Sequence, residues 1–246
     1  SCGVIYGSFG DDIHRVYTPE MKGKNLGIVP FRNTDKLIIN NDVAGAIKLA
    51  SENKFSLRGN IWVLNFASYK NPGGMFLKGS SAQEESLCHI SNLYNHLYRE
   101  KHYYDINNTN KNRALYQNRA IIHRDVMFDF DSCMQNVNVI TCAAPNIKAA
   151  MRWQGVTKEE ARQSMYDRIQ FLWDTLSYQQ DIDYLILGAW GCGVFGNDPA
   201  FVADTLYTTF SLMPDHRNTG RNIVVIYPIP DSKTFNVFFE RSGLAG

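Results

Sequence analysis

The sequence predicts one three-layer α/β domain with a mostly parallel central sheet. Two observations carry this. Short apolar, β-branched runs alternate with runs of helical period along the chain. No internal repeat and no break in composition divides the 246 residues. The expected organisation is a single unit over 1–246, with an N-terminal wrap over 1–35 and the core over 36–246.

Residues 1–35 read as irregular because Gly and Pro punctuate them at Gly3, Gly7, Gly10, Pro19, Gly23, Gly27 and Pro30. KLIIN (36–40) reads as a strand, and 42–52 as a helix with Asp42 near its start. NIWVLNF (60–66) is apolar, β-branched and aromatic, which marks a buried strand. Leu87, Ile90, Leu93, Tyr94 and Leu97 recur at helical spacing, so 81–101 reads as one helix. The polar run YYDINNTNKNRA (103–114) reads as a mobile loop. RAIIHRDV (119–126) and NVNVITC (136–142) read as strands. Thr157 and Glu160 form a capping box that opens a long helix over 158–178. DYLILGAW (183–190) reads as a buried strand. Pro199 opens a helix over 199–212, with Asn197 or Asp198 as its cap. NIVVIYPI (222–229) and TFNVFFE (234–240) read as closing strands.

Composition excludes several classes of partner. The formal net charge is +1, so no basic face for nucleic acid is implied. No run of about 18 apolar residues is present, so no membrane span is expected. The opening SCGVIYGSFGDD lacks a signal pattern, and its start on Ser1 reads as trimmed. Five scattered cysteines without a CxxC pair fit reduced, buried thiols and a cytoplasmic setting, or a nuclear one in a eukaryote.

Residues 191–196 spell GCGVFG, a literal G-x-G-x-x-G after a strand. The dinucleotide-binding unit fails here. The first acid beyond the next strand is Asp231, about forty residues on, against roughly twenty in that unit. The physics of the stretch survives: glycines let backbone amides approach a diphosphate, and the helix opening at Pro199 adds partial positive charge. The plain alternative is a tight turn that needs glycine.

The stretch NPGGMFLKGSSAQEES (71–86) places a glycine turn and two glutamates between strand and helix. Two glycine loops after buried strands point to one cleft at the strands' carboxyl ends. Each glutamate has a structural reading. Ser81 and Glu84 fit a capping box, and Glu85, off the apolar stripe, fits a solvated helix start. Gln83 fits a structural role. The six histidines lack metal-ligand spacing, so no metal is expected, and no cofactor is implied. Cys192 reads as a small turn residue, and Phe195 and Trp190 as core or as stacking surfaces for a nucleoside.

LNFASYKNPGGMFLKGSSAQEESLC resembles the signature of microbial poly(ADP-ribose) glycohydrolases, a branch of the macrodomain superfamily. ITCAAPN (140–146) and LGAWGCGVFGNDP (187–199) match in order and spacing, so the likeness spans roughly 36–240. The resemblance implies an α/β/α macrodomain that binds ADP-ribose above a mixed sheet. It implies Glu85 as catalytic acid/base and Glu84 as the neighbour that orients the ribose. Gly73 and Gly74 resemble the loop around the diphosphate and distal ribose, with Met75 and Gln83 in the same ligand-binding set. Asn65 and Asn71 fall where the family contacts ribose. Gly191, Cys192, Gly193, Val194 and Phe195 resemble the second diphosphate loop, held by Asn197. Asp42 falls where an acid meets the adenine amine. The implied partner is ADP-ribose or poly(ADP-ribose), free or on a modified protein, with the enzyme a monomer.

Met75 departs from the family pattern, which has a third glycine there. A left-handed backbone would cost a Met about 1–2 kcal/mol, and its side chain would cover the distal ribose. Three activities follow: hydrolysis of poly(ADP-ribose), non-catalytic reading of ADP-ribose or a related nucleotide, or hydrolysis of another ADP-ribosyl linkage on a side chain or base. The intact glutamate pair favours hydrolysis over reading, and Met75 favours the other linkage.

Overall fold

A computed structural model describes residues 6–9, 12–17, 31–52, 60–130, 133–216 and 220–243. Its strands are β1 (Tyr6–Phe9), β2 (Asp12–Tyr17), β3 (Phe31–Ile39), β4 (Ile61–Phe66), β5 (Ala120–Asp129), β6 (Met134–Cys142), β7 (Tyr184–Ile186), β8 (Leu212–Pro214) and β9 (Ile223–Pro228). Its helices are α1 (Val43–Glu52), α2 (Gln83–His89), α3 (Leu93–Arg99), α4 (Lys101–Thr109), α5 (Ile147–Trp153), α6 (Lys158–Ser177), α7 (Pro199–Thr209) and α8 (Ser232–Arg241). The sheet order is β1-β2-β5-β6-β4-β7-β9-β3-β8. The central run β6-β4-β7-β9-β3 is parallel. Antiparallel strands flank it on both sides.

Period-two alternation makes the layers. On β4, Trp62 and Leu64 enter the core built with α6, α7 and α8. Ile61 and Val63 enter the opposite core, built with α1, α2 and α3. The expected three-layer α/β fold with a mixed, centrally parallel sheet is therefore observed. No described helix is long and apolar enough to cross a membrane.

Several elements differ from the sequence expectation, each for a physical reason. Part of the expected N-terminal wrap is a hairpin: β1 pairs β2, and β2 pairs β5. The remainder of 1–30 lies outside the described residues, as does Cys2. β3 starts at Phe31, five positions before the strand expected at 36. The helix expected over 81–101 breaks at Ile90–Asn92. There the Ile90 carbonyl accepts from Asp129 N (2.8 Å), and Asn92 N donates to the Met127 carbonyl (3.1 Å), so β5 pulls the chain out of the helix. The run 103–114 is not a loop throughout: α4 buries Tyr103, Tyr104 and Asn107, a narrow stripe that polar composition hid. The strand expected over 183–190 ends at Ile186, just ahead of the left-handed Gly188.

The closing run 234–240 is helix, not strand. Asp231 caps it by accepting from Thr234 N (2.8 Å), and Phe235, Phe238 and Phe239 fall on one face. Helical spacing of aromatics overrode their β preference. Cys133 is exposed, against the expectation of buried thiols, whereas Cys88 and Cys142 are buried.

The capping box of α6 forms as expected: Thr157 Oγ1 accepts from Glu160 N (3.1 Å), and Glu160 Oε2 accepts from Thr157 N (2.8 Å). Asp198 caps α7 ahead of Pro199. Thr157→Ala is expected to lower stability by about 1 kcal/mol, read by urea unfolding; an unchanged midpoint would show that α6 is fixed by packing alone.

Candidate active site

A cleft of about 800 Å³ opens at the carboxyl ends of the parallel strands. Open α/β sheets place ligands there, and the size suits a small-molecule site. Loops after β3, β4, β6, β7 and β9 contribute to its lining.

The start of α2 is pinned to β4 and its loop by three consecutive side chains. Gln83 Oε1 accepts from Phe66 N (2.8 Å), and its Nε2 donates to the Leu64 carbonyl (2.8 Å), completing the end of β4. Glu84 accepts at both oxygens: Oε1 from Asn65 Nδ2 (3.2 Å) and Oε2 from Ser68 N (2.7 Å). Glu85 Oε1 accepts from Met75 N (2.9 Å). Glu84 and Glu85 are only 2% and 6% exposed. The capping box expected from Ser81 and Glu84 does not form, because Ala82 is the cap residue and Glu84 turns inward. The solvated helix start expected for Glu85 fails for the same reason. A strand amide and a glycine turn offer these carboxylates partners that water would otherwise supply.

The glycines make that approach possible. Gly73 and Gly74 have φ of 67° and 60°. A Cβ on Gly74 would lie 2.4 Å from Glu85 Oε1 and 3.1 Å from Glu84 Oε2; one on Gly73 would strike the Tyr94 ring at 2.6 Å. Met75 has φ −110°, so the strain anticipated from a left-handed Met is absent. Its backbone donates to Glu85 while its side chain stays half-exposed at the cleft.

Burial pushes the Glu84 carboxyl up to about 8, against the pull of Ser68 N and Asn65 and reinforced by Glu85. The Cys88 and Cys192 thiols, each pushed up to about 12 by burial, are not nucleophiles at neutral pH. Among the described residues no group of three or more His, Cys, Asp or Glu is placed to hold a metal ion.

The second loop sits opposite. A Cβ on Gly191 (φ 76°) would meet Asn197 Nδ2 at 2.7 Å and Ala144 Cβ at 2.8 Å. Buried Asn197 donates from Nδ2 to the carbonyls of Pro145 and Gly191, each at 3.0 Å, so it holds the loop. The amides of Gly193, Val194 and Phe195 donate to no described residue. Phe195 meets Tyr116 edge-on at 6.2 Å, and Tyr116 stacks on Tyr69 at 4.2 Å.

Three expected site residues also make structural hydrogen bonds. Asn65 is fully buried behind Glu84 and bridges it to Thr141 Oγ1 (3.2 Å); it does not line the cleft. Asp42 lines the cleft but spends one oxygen capping α1 at Gly45 N (2.8 Å). Asn71 lines the cleft, and its carbonyl accepts from Gly74 N (3.1 Å). Sequence reasoning missed Ser68, whose amide holds Glu84, and the Tyr69–Tyr116 stack; neither leaves a periodic signal.

The family model for the microbial-type PARG catalytic domain matches residues 13–128. In sequence and fold the chain is similar to the microbial-type poly(ADP-ribose) glycohydrolases. Poly(ADP-ribose) glycohydrolase from Thermomonospora curvata, bound to the inhibitor ADP-HPD, is 28% identical over 93% of this chain and 84% of its own, with a TM-score of 0.75. The Deinococcus radiodurans enzyme in complex with ADP-ribose is 29% identical over 87% of this chain and 86% of its own, also at 0.75. No curated protein matches the sequence.

Two variants separate backbone strain from collision. Gly79 has φ 76° and open space, so Gly79→Ala is expected to cost about 1–2 kcal/mol of backbone strain alone. Gly74→Ala adds the collision with Glu85 and is expected to cost more and to disturb the carboxyl pair. Equal losses in thermal unfolding would show that Glu85 yields freely.

Glu84 also sets a pH dependence. Its folded value of about 8 lies above the ordinary 4.5, so the folded state binds more protons between the two. Its contribution to stability is full below pH 4.5 and is lost as pH rises through 8. Glu84→Gln is therefore expected to flatten the fall in unfolding free energy from pH 5 to 9; an unchanged slope would place the proton elsewhere.

Proposed function

We propose that residues 36–246 form one ADP-ribose-binding core that hydrolyses the distal-ribose glycosidic bond, with poly(ADP-ribose) as substrate and Glu85 as acid/base. The observation that carries the role is the difference between the two carboxyls. Both line the cleft, but both oxygens of Glu84 are occupied, whereas Glu85 Oε2 has no described partner. The relatives crystallised with ADP-ribose and with ADP-HPD support the ligand class.

The chemistry follows from one carboxyl group changing role. Glu85 as the acid gives its proton to the leaving ribose oxygen as the bond from C1 of the distal ribose breaks. Positive charge develops on that ribose, beside the diphosphate held at the glycine loops. Glu85 as carboxylate then takes a proton from water, whose oxygen bonds to C1. Glu84, anchored by Asn65 and Ser68, keeps the distal ribose in place. Free Cys88, Cys133, Cys142 and Cys192 are consistent with a reducing, cytosol-like setting.

Met75 supports a second reading. Met75 lines the same cleft as Glu85 and is half-exposed there, on the side from which a leaving group would pass. A different aglycone, such as a protein side chain or a base, would meet it first.

The test is release of ADP-ribose from poly(ADP-ribose) by the native chain and by Glu85→Gln. Turnover is expected to fall by about 10²–10⁴ in the variant, with ADP-ribose binding retained in calorimetry. Full turnover by the variant removes Glu85 from the mechanism. Binding without turnover by the native chain moves the substrate to another linkage, to be identified with a panel of ADP-ribosylated side chains.

A further inference from the structure

The segment joining α4 to β5 holds an unusual backbone. Asn112, Arg113, Ala114 and Tyr116 have φ of 42°, 51°, 65° and 64°, a region that residues with a side chain avoid. Such conformations persist only where the surroundings over-determine them. Asn112 Nδ2 donates to the Tyr116 carbonyl (3.0 Å), and Asn146 N donates to the Ala114 carbonyl (3.0 Å).

The largest anchor comes from another layer. Arg168, on α6, is 1% exposed. Its Nε donates to Asn118 Oδ1 (2.6 Å) and its Nη2 to the Leu115 carbonyl (3.1 Å). Its Nη1 donates to the Ala143 carbonyl. No described carboxylate forms a salt bridge with it. A buried cation without a counter-charge is costly to retain as packing alone. Every partner of this one lies in segments that build a single wall of the cleft. Leu115 precedes Tyr116, which lines the cleft, stacks on Tyr69 and meets Phe195. Ala143 precedes Ala144, against which Gly191 packs without room for a Cβ.

We propose that Arg168 is a positioning residue for the substrate: its planar fork locks Tyr116, and through it Phe195 and the second glycine loop, in the geometry that receives ADP-ribose. This rests on the ADP-ribose reading of the cleft. Only a planar, multiply donating group spans Asn118, Leu115 and Ala143 together. The wall binds and orients, and it moves no proton. Its loss therefore acts on affinity, whereas loss of Glu85 acts on turnover.

The experiment compares native chain, Arg168→Met and the gentler Asn118→Ala, which removes only the Nε bond. The readouts are ADP-ribose affinity by calorimetry, steady-state turnover of poly(ADP-ribose) and amide hydrogen exchange. For Arg168→Met, Kd and KM are expected to rise at least about tenfold, with kcat within about threefold and the pH–rate profile unmoved. Amides of 112–118 should exchange faster while β4 keeps its protection. Asn118→Ala should weaken binding by about threefold in the same direction. A folded Arg168→Met that binds ADP-ribose within about twofold of native overturns the proposal. If that variant does not fold, unchanged affinity and exchange in Asn118→Ala overturn it instead. If the native chain itself fails to bind ADP-ribose, the glycohydrolase reading falls separately. Exchange at 112–118 in Arg168→Met then decides the clamp: unchanged protection overturns it, and faster exchange sustains it.

Discussion

Two carboxyl groups buried side by side under a glycine turn set the terms for the rest of this molecule. Removing a carboxylate from water is costly unless donors replace the water. Here the donors are the backbone amides of Ser68 and Met75 and the side chain of Asn65. Amides can reach a carboxylate this closely only where no Cβ intervenes, which is the condition met at Gly74. The strand supplies rigidity, the turn supplies approach, and α2 supplies direction. None of the three suffices alone.

The same logic explains why the cleft lies where it does. Parallel strands end together, so the loops after β4 and β7 face each other across one opening. The G-x-G-x-x-G run is a different device from a dinucleotide fingerprint. Gly191 lets the loop close onto Ala144 and Asn197, whereas a Cβ on Gly193 would meet nothing within 4 Å. Its pattern of glycines arises from packing at the first position and from open backbone at the third. The amides of Gly193, Val194 and Phe195, which donate to no described residue, then face the opening as an anion would need.

The layered fold was legible in the sequence because strong alternation and helical stripes survive in single segments. β4, α1, α6 and α7 were found on that ground, and the Thr157–Glu160 box gave the start of α6 to the residue. Elements fixed by distant contacts were not legible. The break after α2 is made by Met127 and Asp129 of β5, far along the chain, and α4 hides three buried residues in a polar run. α8 shows aromatics whose strand preference is weaker than the pull of a shared core with Tyr207 and Tyr227. At the site, the pair Glu84–Glu85 and both glycine loops were visible as motifs. The inward turn of Glu84 was not, because a local capping box and a long-range carboxylate anchor are spelled by the same letters. Asn65 illustrates the converse: it was picked out for a contact to ribose, and its bonds hold Glu84 from behind.

Met75 shows which features of a turn are replaceable. Gly73 and Gly74 are held by both a left-handed backbone and a neighbour that a Cβ would strike. The next position has neither constraint: φ is −110° and the residue is half-exposed at the cleft. What Glu85 needs from it is an amide, which every residue but proline supplies. The side chain is thus decoupled from the support of the carboxyl pair. The support of the carboxyl pair is therefore written in two glycines and in the backbone, not the side chain, of the residue after them.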